Sequence, residues 1–192
     1  MNLKQQKGIA HVLGENVPHD GAVMSFDIVL SRVTDPQQLI PHLFAELDPG
    51  LRERIKPGDI IVAGKNFLSG KAHNAGLIAM KALGLAIICE SMSVRAFQGV
   101  VALAIPVLIK CERITQFVQS GDEIEVDFLT GEIANLTRSE TRKFPSMDPA
   151  IRKLVEGDGM RGTLVEHLAN HPELGTVNVP EFSNMLNGDG RK

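Results

Sequence analysis

The segment Gly64-Lys65-Asn66-Phe67-Leu68-Ser69-Gly70-Lys71-Ala72-His73 gathers residue types that can act on an anion. Lys71 offers an amine, Ser69 a hydroxyl, and His73 an imidazole that can bind a carboxylate or pass a proton near neutral pH. Beside a helix N-terminus and other cations, Lys71 is expected to release its proton more readily than an ordinary lysine, as a general base requires. A nucleotide phosphate loop is excluded by spacing. Five residues separate Gly64 from Gly70-Lys71, and Ala72 stands where that motif needs Ser or Thr for magnesium. A carboxylate or phosphate on a small ligand remains.

The flanking pattern says which elements must hold this loop. Ile60-Ile61-Val62-Ala63 is a short apolar run, the signature of a strand buried on both faces. A helix is expected from about Asn74 to Leu83, with Gly84 ending it, so its free N–H groups would face the loop. A strand over 85–89, a helix over 94–104 and a strand over 107–109 follow, with Pro106 as the break. The result is a parallel βαβαβ core with right-handed crossovers, whose ligand belongs at the carboxyl ends of the strands.

Upstream, residues 9–13 read as a short strand, and Val17-Pro18-His19-Asp20-Gly21 as a turn. Residues 22–33 are apolar and β-branched in their second half and suggest another strand. Asp35-Pro36 opens a helix whose apolar positions, Leu39, Ile40, Leu43, Phe44 and Leu47, carry it to Asp48-Pro49-Gly50. Downstream, 123–128 and 133–136 pair as a β-hairpin around Thr130-Gly131-Glu132. Short helices are expected over 148–156 and 161–169. One α/β domain over 1–171 is expected, followed by a polar, flexible tail over 172–192.

Composition removes several functions. Twenty Lys and Arg against 23 Asp and Glu leave a charge of −3, which argues against general binding to nucleic acid or a membrane surface. The eight aromatic residues are all Phe, too few for a base-stacking surface. No apolar run approaches the roughly 20 residues of a membrane span, and the polar N-terminus does not resemble a signal peptide. A cytoplasmic location is expected. Cys89 and Cys111 lack zinc or iron–sulfur spacing and read as small buried hydrophobes. His19 reads as a surface group of its turn, and His11, His42, His167 and His171 as surface or boundary residues.

Several stretches together resemble the small subunit of 3-isopropylmalate dehydratase, the swivel-domain half of the aconitase-like hydro-lyases. They are the run from Asp48-Pro49 through Ile55-Lys56-Pro57-Gly58-Asp59 to Gly64-Lys65-Asn66-Phe67, then Gly14-Glu15-Asn16 with Asp20, and Lys81-Ala82-Leu83-Gly84. Gly121-Asp122-Glu123, Thr130-Gly131-Glu132 and Gly162-Thr163-Leu164-Val165-Glu166-His167-Leu168 extend the likeness over almost all of residues 8–168. The resemblance implies a swivelling β/β/α domain. It implies a large aconitase-like subunit as partner, a [4Fe–4S] cluster on that partner and none on this chain, and a small 2-hydroxy carboxylic acid as substrate. The chain alone should be inactive.

The family's loop reads Gly-x-Asn-Phe-Gly-Cys-Gly-Ser-Ser-Arg-Glu-His, with a Ser as base and the Arg gripping a carboxylate. Here Gly64, Asn66, Phe67 and Gly70 fit that frame. Leu68 stands at a Gly, Ser69 at the Cys, Lys71 and Ala72 at the two Ser, and His73 at the Arg. Pro18-His19 also replaces an Asp-Thr. On this alignment Lys71 and Ser69 are the catalytic candidates, and His73, Asn66, Gly70 and Asp20 the substrate-binding ones, with no metal ligands. The alternative is a non-catalytic or cluster-independent homo-oligomeric module that kept the fold and binds a small anion.

Overall fold

The computed structural model describes residues 3–176. The expected flexible tail lies almost wholly outside them; of it only a 3₁₀ turn, Pro172–Thr176, is described. Seven strands form one mixed sheet: β1 (Gln6–Leu13), β2 (Ile60–Ala63), β3 (Ala86–Cys89), β4 (Val107–Leu108), β5 (Glu123–Asp127), β6 (Glu132–Asn135) and β7 (Glu140–Lys143). Their order is β4-β3-β2-β1-β5-β6-β7. The helices are α1 (Phe26–Leu30), α2 (Pro36–Leu39), α3 (Leu51–Arg54), α4 (Ala75–Ala82), α5 (Val94–Ala102), α6 (Ile114–Phe117), α7 (Pro149–Glu156) and α8 (Gly159–Asn170).

The β2–α4–β3–α5–β4 unit is the expected βαβαβ core, with β2, β3 and β4 parallel in successive registers. The runs IIVA and AIIC are buried at every position. Alternate residues serve opposite faces, as a period of two requires. Ile61, Ala63, Ile87 and Cys89 enter one apolar core with Leu77 and Met80 of α4 and Val100 of α5. Ile60, Val62, Ala86 and Ile88 enter the other, with Phe117, Ile124, Val126 and Ile133.

Strand β1 joins the two halves of the sheet. Its residues Ala10 to Leu13 pair parallel with β2, and Gln6 to Ile9 pair antiparallel with β5. A buried histidine–aspartate hydrogen bond secures this junction. His11 Nε2 lies 2.8 Å from Asp59 Oδ2. The same carboxylate accepts from the Ile9 and Lys56 N–H groups at 3.0 and 2.8 Å. His11 is thus a buried partner, which corrects the surface assignment: its place in β1, opposite Ile61, puts it between strands.

Two backbone expectations also change. Residues 22–33 form no strand; a turn leads into α1. Ser25 Oγ accepts the Ile28 N–H at 3.5 Å, and this cap outweighs the β-branched composition. The helix expected to reach Leu47 stops early, because Pro41 has no N–H to continue the ladder and Phe44 turns at φ 60°. Leu39, Leu43 and Phe44 remain fully buried, so the apolar pattern marked the core correctly but not the backbone. The hairpin is present and gains a third strand, β7, whose polar sequence ETRK carries no strand signal and is exposed throughout.

Candidate functional site

The loop after β2 lies where three parallel strands release their chains. It is stitched to the segment following β1 and to the segment following β3. The Gly64 N–H donates to Gly14 O, the Asn16 N–H to Lys65 O, the Ser69 N–H to Val17 O and the His19 N–H to Ser69 O, at 2.8–3.2 Å. On the other side the Asn66 N–H donates to Ser91 Oγ at 2.9 Å and the Phe67 N–H to Ser91 O at 2.9 Å. Asn66 Nδ2 donates to Asn16 Oδ1 at 2.8 Å. Phe67 and Leu68 are fully buried and anchor the loop. Leu68 holds φ 56°, a conformation that favours glycine and is kept here by the burial of its side chain.

The loop ends at α4, whose N-cap residue Asn74 makes no side-chain cap. The first-turn N–H groups therefore keep their capacity for water or an anion. Gly76 allows the turn over 18–24 to reach this helix, since a Cβ there would stand 2.5 Å from Val23 Cγ1. That approach brings Asp20 to His73: Asp20 Oδ2 and His73 Nε2 are 3.3 Å apart. The contact has ion-pair distance but lacks hydrogen-bond alignment, so Nε2 also counts among the buried atoms without a hydrogen bond.

His19 joins these two and corrects the surface assignment. Its ring is 3% exposed and its Nε2 has no hydrogen-bond partner. Burial pushes its pKa down to about 4; Asp20 opposes this and His73 adds to it. The imidazole is therefore neutral at ordinary pH. The turn that suggested exposure is folded under the loop, held by the His19–Ser69 and Met24–His19 backbone bonds. The one sequence signal was the Pro18-His19 pair standing in place of the family's Asp-Thr.

The candidates therefore divide. Asp20 and His73 meet, with His19 beside them. Ser69 is half-buried and tied in through its backbone. Asn66 is exposed and engaged with Asn16. Gly70, at φ 85°, makes the bend leading to Lys71. Lys71 is exposed and makes no ion pair among the described residues, so this chain alone does not enclose it as a buried base. A cavity of about 400 Å³ lined by Leu3, Lys81, Leu85, Pro106 and Asp158 lies at the amino ends of the strands, away from this chemistry.

The chain's own residues do not fit an iron–sulfur cluster. Among the described residues no three His, Cys, Asp or Glu converge as a metal site. Cys89 and Cys111 are buried in the cores on opposite faces of the sheet. Burial pushes the Cys89 thiol up to about 12 and raises that of Cys111 as well, so neither is a ready thiolate ligand.

No family model matches the chain. It is 32% identical over 164 residues to the isopropylmalate/citramalate isomerase small subunit of Methanocaldococcus jannaschii, covering 85% of this chain and 95% of that one. It is 31% identical over 157 residues to the 3-isopropylmalate dehydratase small subunit of Clostridium beijerinckii, covering 81% and 95%. The solved structure of 3-isopropylmalate dehydratase (leuD) from M. jannaschii superposes with a TM-score of 0.79 at 27% identity, covering 88% of this chain and 99% of that one.

Proposed function

Because the chain belongs to the family of 3-isopropylmalate dehydratase small subunits, we propose that it is the small, swivel-type subunit of an aconitase-like hydro-lyase acting on a small 2-hydroxy carboxylic acid. Near-complete coverage of relatives that share this one function carries the reading. It also favours an enzyme subunit over a free-standing anion-binding module. A large subunit completes the enzyme, and the [4Fe–4S] cluster resides there, since the cysteines of this chain offer no ligands. The cytoplasm is the expected compartment; no described helix is long and apolar enough to cross a membrane. Residues 1–171 are the span in which this reading places the working domain.

In this reading the loop over 64–73 contributes the small subunit's half of the active site. The uncapped first turn of α4 and Gly70 present N–H groups to the substrate carboxylate. Lys71 takes the proton from the carbon next to the one bearing the hydroxyl. Docking of the large subunit removes Lys71 from water, which favours its neutral, basic form. Ser69 offers a hydroxyl beside it. Asn66 fixes the loop to Asn16, and Asp20 and His73 meet at its end.

The test is purification of the native complex through a tag on this chain, followed by iron analysis and a hydro-lyase assay. A stoichiometric iron-containing partner and turnover by the complex, with none by the isolated chain, are expected. Dehydration of a 2-hydroxy acid by the isolated chain, or a homo-oligomer without such a partner, would refute the reading.

A further inference from the structure

One side chain outside the loop governs its path. Ser91 follows the end of β3, 25 residues from Asn66 in sequence. Its Oγ accepts the Asn66 N–H at 2.9 Å, and its carbonyl accepts the Phe67 N–H at 2.9 Å. Two successive loop amides therefore end on this one residue. The chain that carries it is itself fixed. The Glu90 N–H donates to Ala63 O of β2 at 3.3 Å, and the Lys110 N–H donates to Glu90 O at 3.1 Å. Met92 extends the contact by pairing with Phe67 as a parallel bridge.

These amides belong to the loop's tightest backbone. Asn66 and Leu68, on either side of Phe67, both hold φ 56°. A residue with a side chain keeps such a conformation only where its surroundings hold it, although Asn enters it more readily than most. Phe67 and Leu68 are held by their burial. Asn66 is exposed, so hydrogen bonds must do this. Its Nδ2 donates to Asn16 Oδ1, which fixes the side chain, while its N–H donates to Ser91 Oγ, which fixes the peptide.

The buried anchors tie the loop to the core, and the hydroxyl sets its direction. Residues 66–69 form a short bridge, moored at one end on Ser91 and at the other by the Ser69 N–H to Val17 O bond at 3.1 Å. Gly70 and Lys71 leave from the far end, so a bridge loosened at Asn66 tilts them. We infer that Ser91 is a positioning residue of the hydro-lyase reaction: through the Asn66 peptide, its hydroxyl fixes where the Gly70 N–H and the Lys71 amine meet the substrate. The inference rests on the hydro-lyase reading above.

The test compares Ser91→Ala with Ser91→Thr in the native complex. Ser91→Ala is expected to lower kcat about tenfold with KM within about twofold, because the displaced amine acts in the proton transfer. Ser91→Thr keeps the hydroxyl and is expected to stay within about threefold of wild type. In the isolated chain, amide hydrogen exchange at Asn66 is expected to quicken about tenfold in Ser91→Ala, with exchange at Val62 of β2 unchanged. Wild-type kcat in Ser91→Ala overturns the inference and leaves the hydro-lyase reading intact. So does an equal loss in the two variants, or an exchange rate at Asn66 that does not move. Should Ser91→Ala fail to assemble, the exchange at Asn66 decides. A native complex with no hydro-lyase turnover removes both readings together.

Discussion

His19 makes an acid-side stability prediction that needs no partner or substrate. In the unfolded chain its imidazole takes a proton below about pH 6.5. In the folded chain burial holds that proton off until about pH 4. Between these values the unfolded state binds more protons than the native one, so stability falls as pH falls through that window. Above pH 6.5 both states are neutral and His19 costs nothing. A tenfold change in proton affinity is worth about 1.4 kcal/mol. The displacement therefore caps the loss at about 3 kcal/mol, and at pH 4.5, still above the folded value, about 2–2.5 kcal/mol of it has been reached. The perturbation is His19→Gln, which keeps a polar side chain of similar reach and cannot titrate. Urea unfolding of the isolated chain at pH 7 and pH 4.5 should show the wild type losing about 2 kcal/mol more than the variant. Groups that do not interact with His19 contribute alike to both proteins and cancel. An equal loss in the two would refute the burial argument, as would an imidazole titration by NMR near 6.5.

Other predictions address the scaffold and the chemistry. Asp59→Ala should destabilise the chain by about 3–5 kcal/mol in chemical denaturation, because it strands His11 and two backbone N–H groups in the β1–β2 junction. Loss below 1 kcal/mol would mean the pair is not buried as described. In the assembled enzyme, Lys71→Ala and His73→Ala should each abolish turnover while leaving the circular dichroism spectrum of this chain unchanged and its unfolding free energy within about 0.5 kcal/mol of wild type. Wild-type rates in both would remove them from the site.

The parts of the fold that sequence alone determined are those where local chemistry has one solution. Four-residue apolar runs such as IIVA and AIIC, too short for helices and bounded by turn residues, read as strands buried on both faces, and the punctuation between them leaves room for one helix each. That gave the parallel core, the direction of the strands and the end of the sheet where a ligand belongs. The loop over 64–73 was legible for the same reason, since its residue types and its place after β2 are both written in the chain. Elsewhere the pattern was right and the backbone was not. Leu39, Leu43 and Phe44 are core residues as their spacing suggests, yet Pro41 breaks the helix that spacing implied.

Tertiary structure alone decided which polar side chains belong together. His11 and Asp59 are 48 residues apart in sequence, and neither carries a local signal of the other. His19 stands in a turn, and turns are normally exposed. It is buried only because the glycine at position 76 admits the turn against α4 and Ser69 takes its backbone hydrogen bond. Lys71, by contrast, is conspicuous in the sequence and exposed in the fold. Burial is a property of the packed chain, and it is burial that sets whether an imidazole is charged or a carboxylate is satisfied. Residue type and spacing could therefore single out a candidate loop, while its electrostatic character had to wait for the packing of loops distant in sequence.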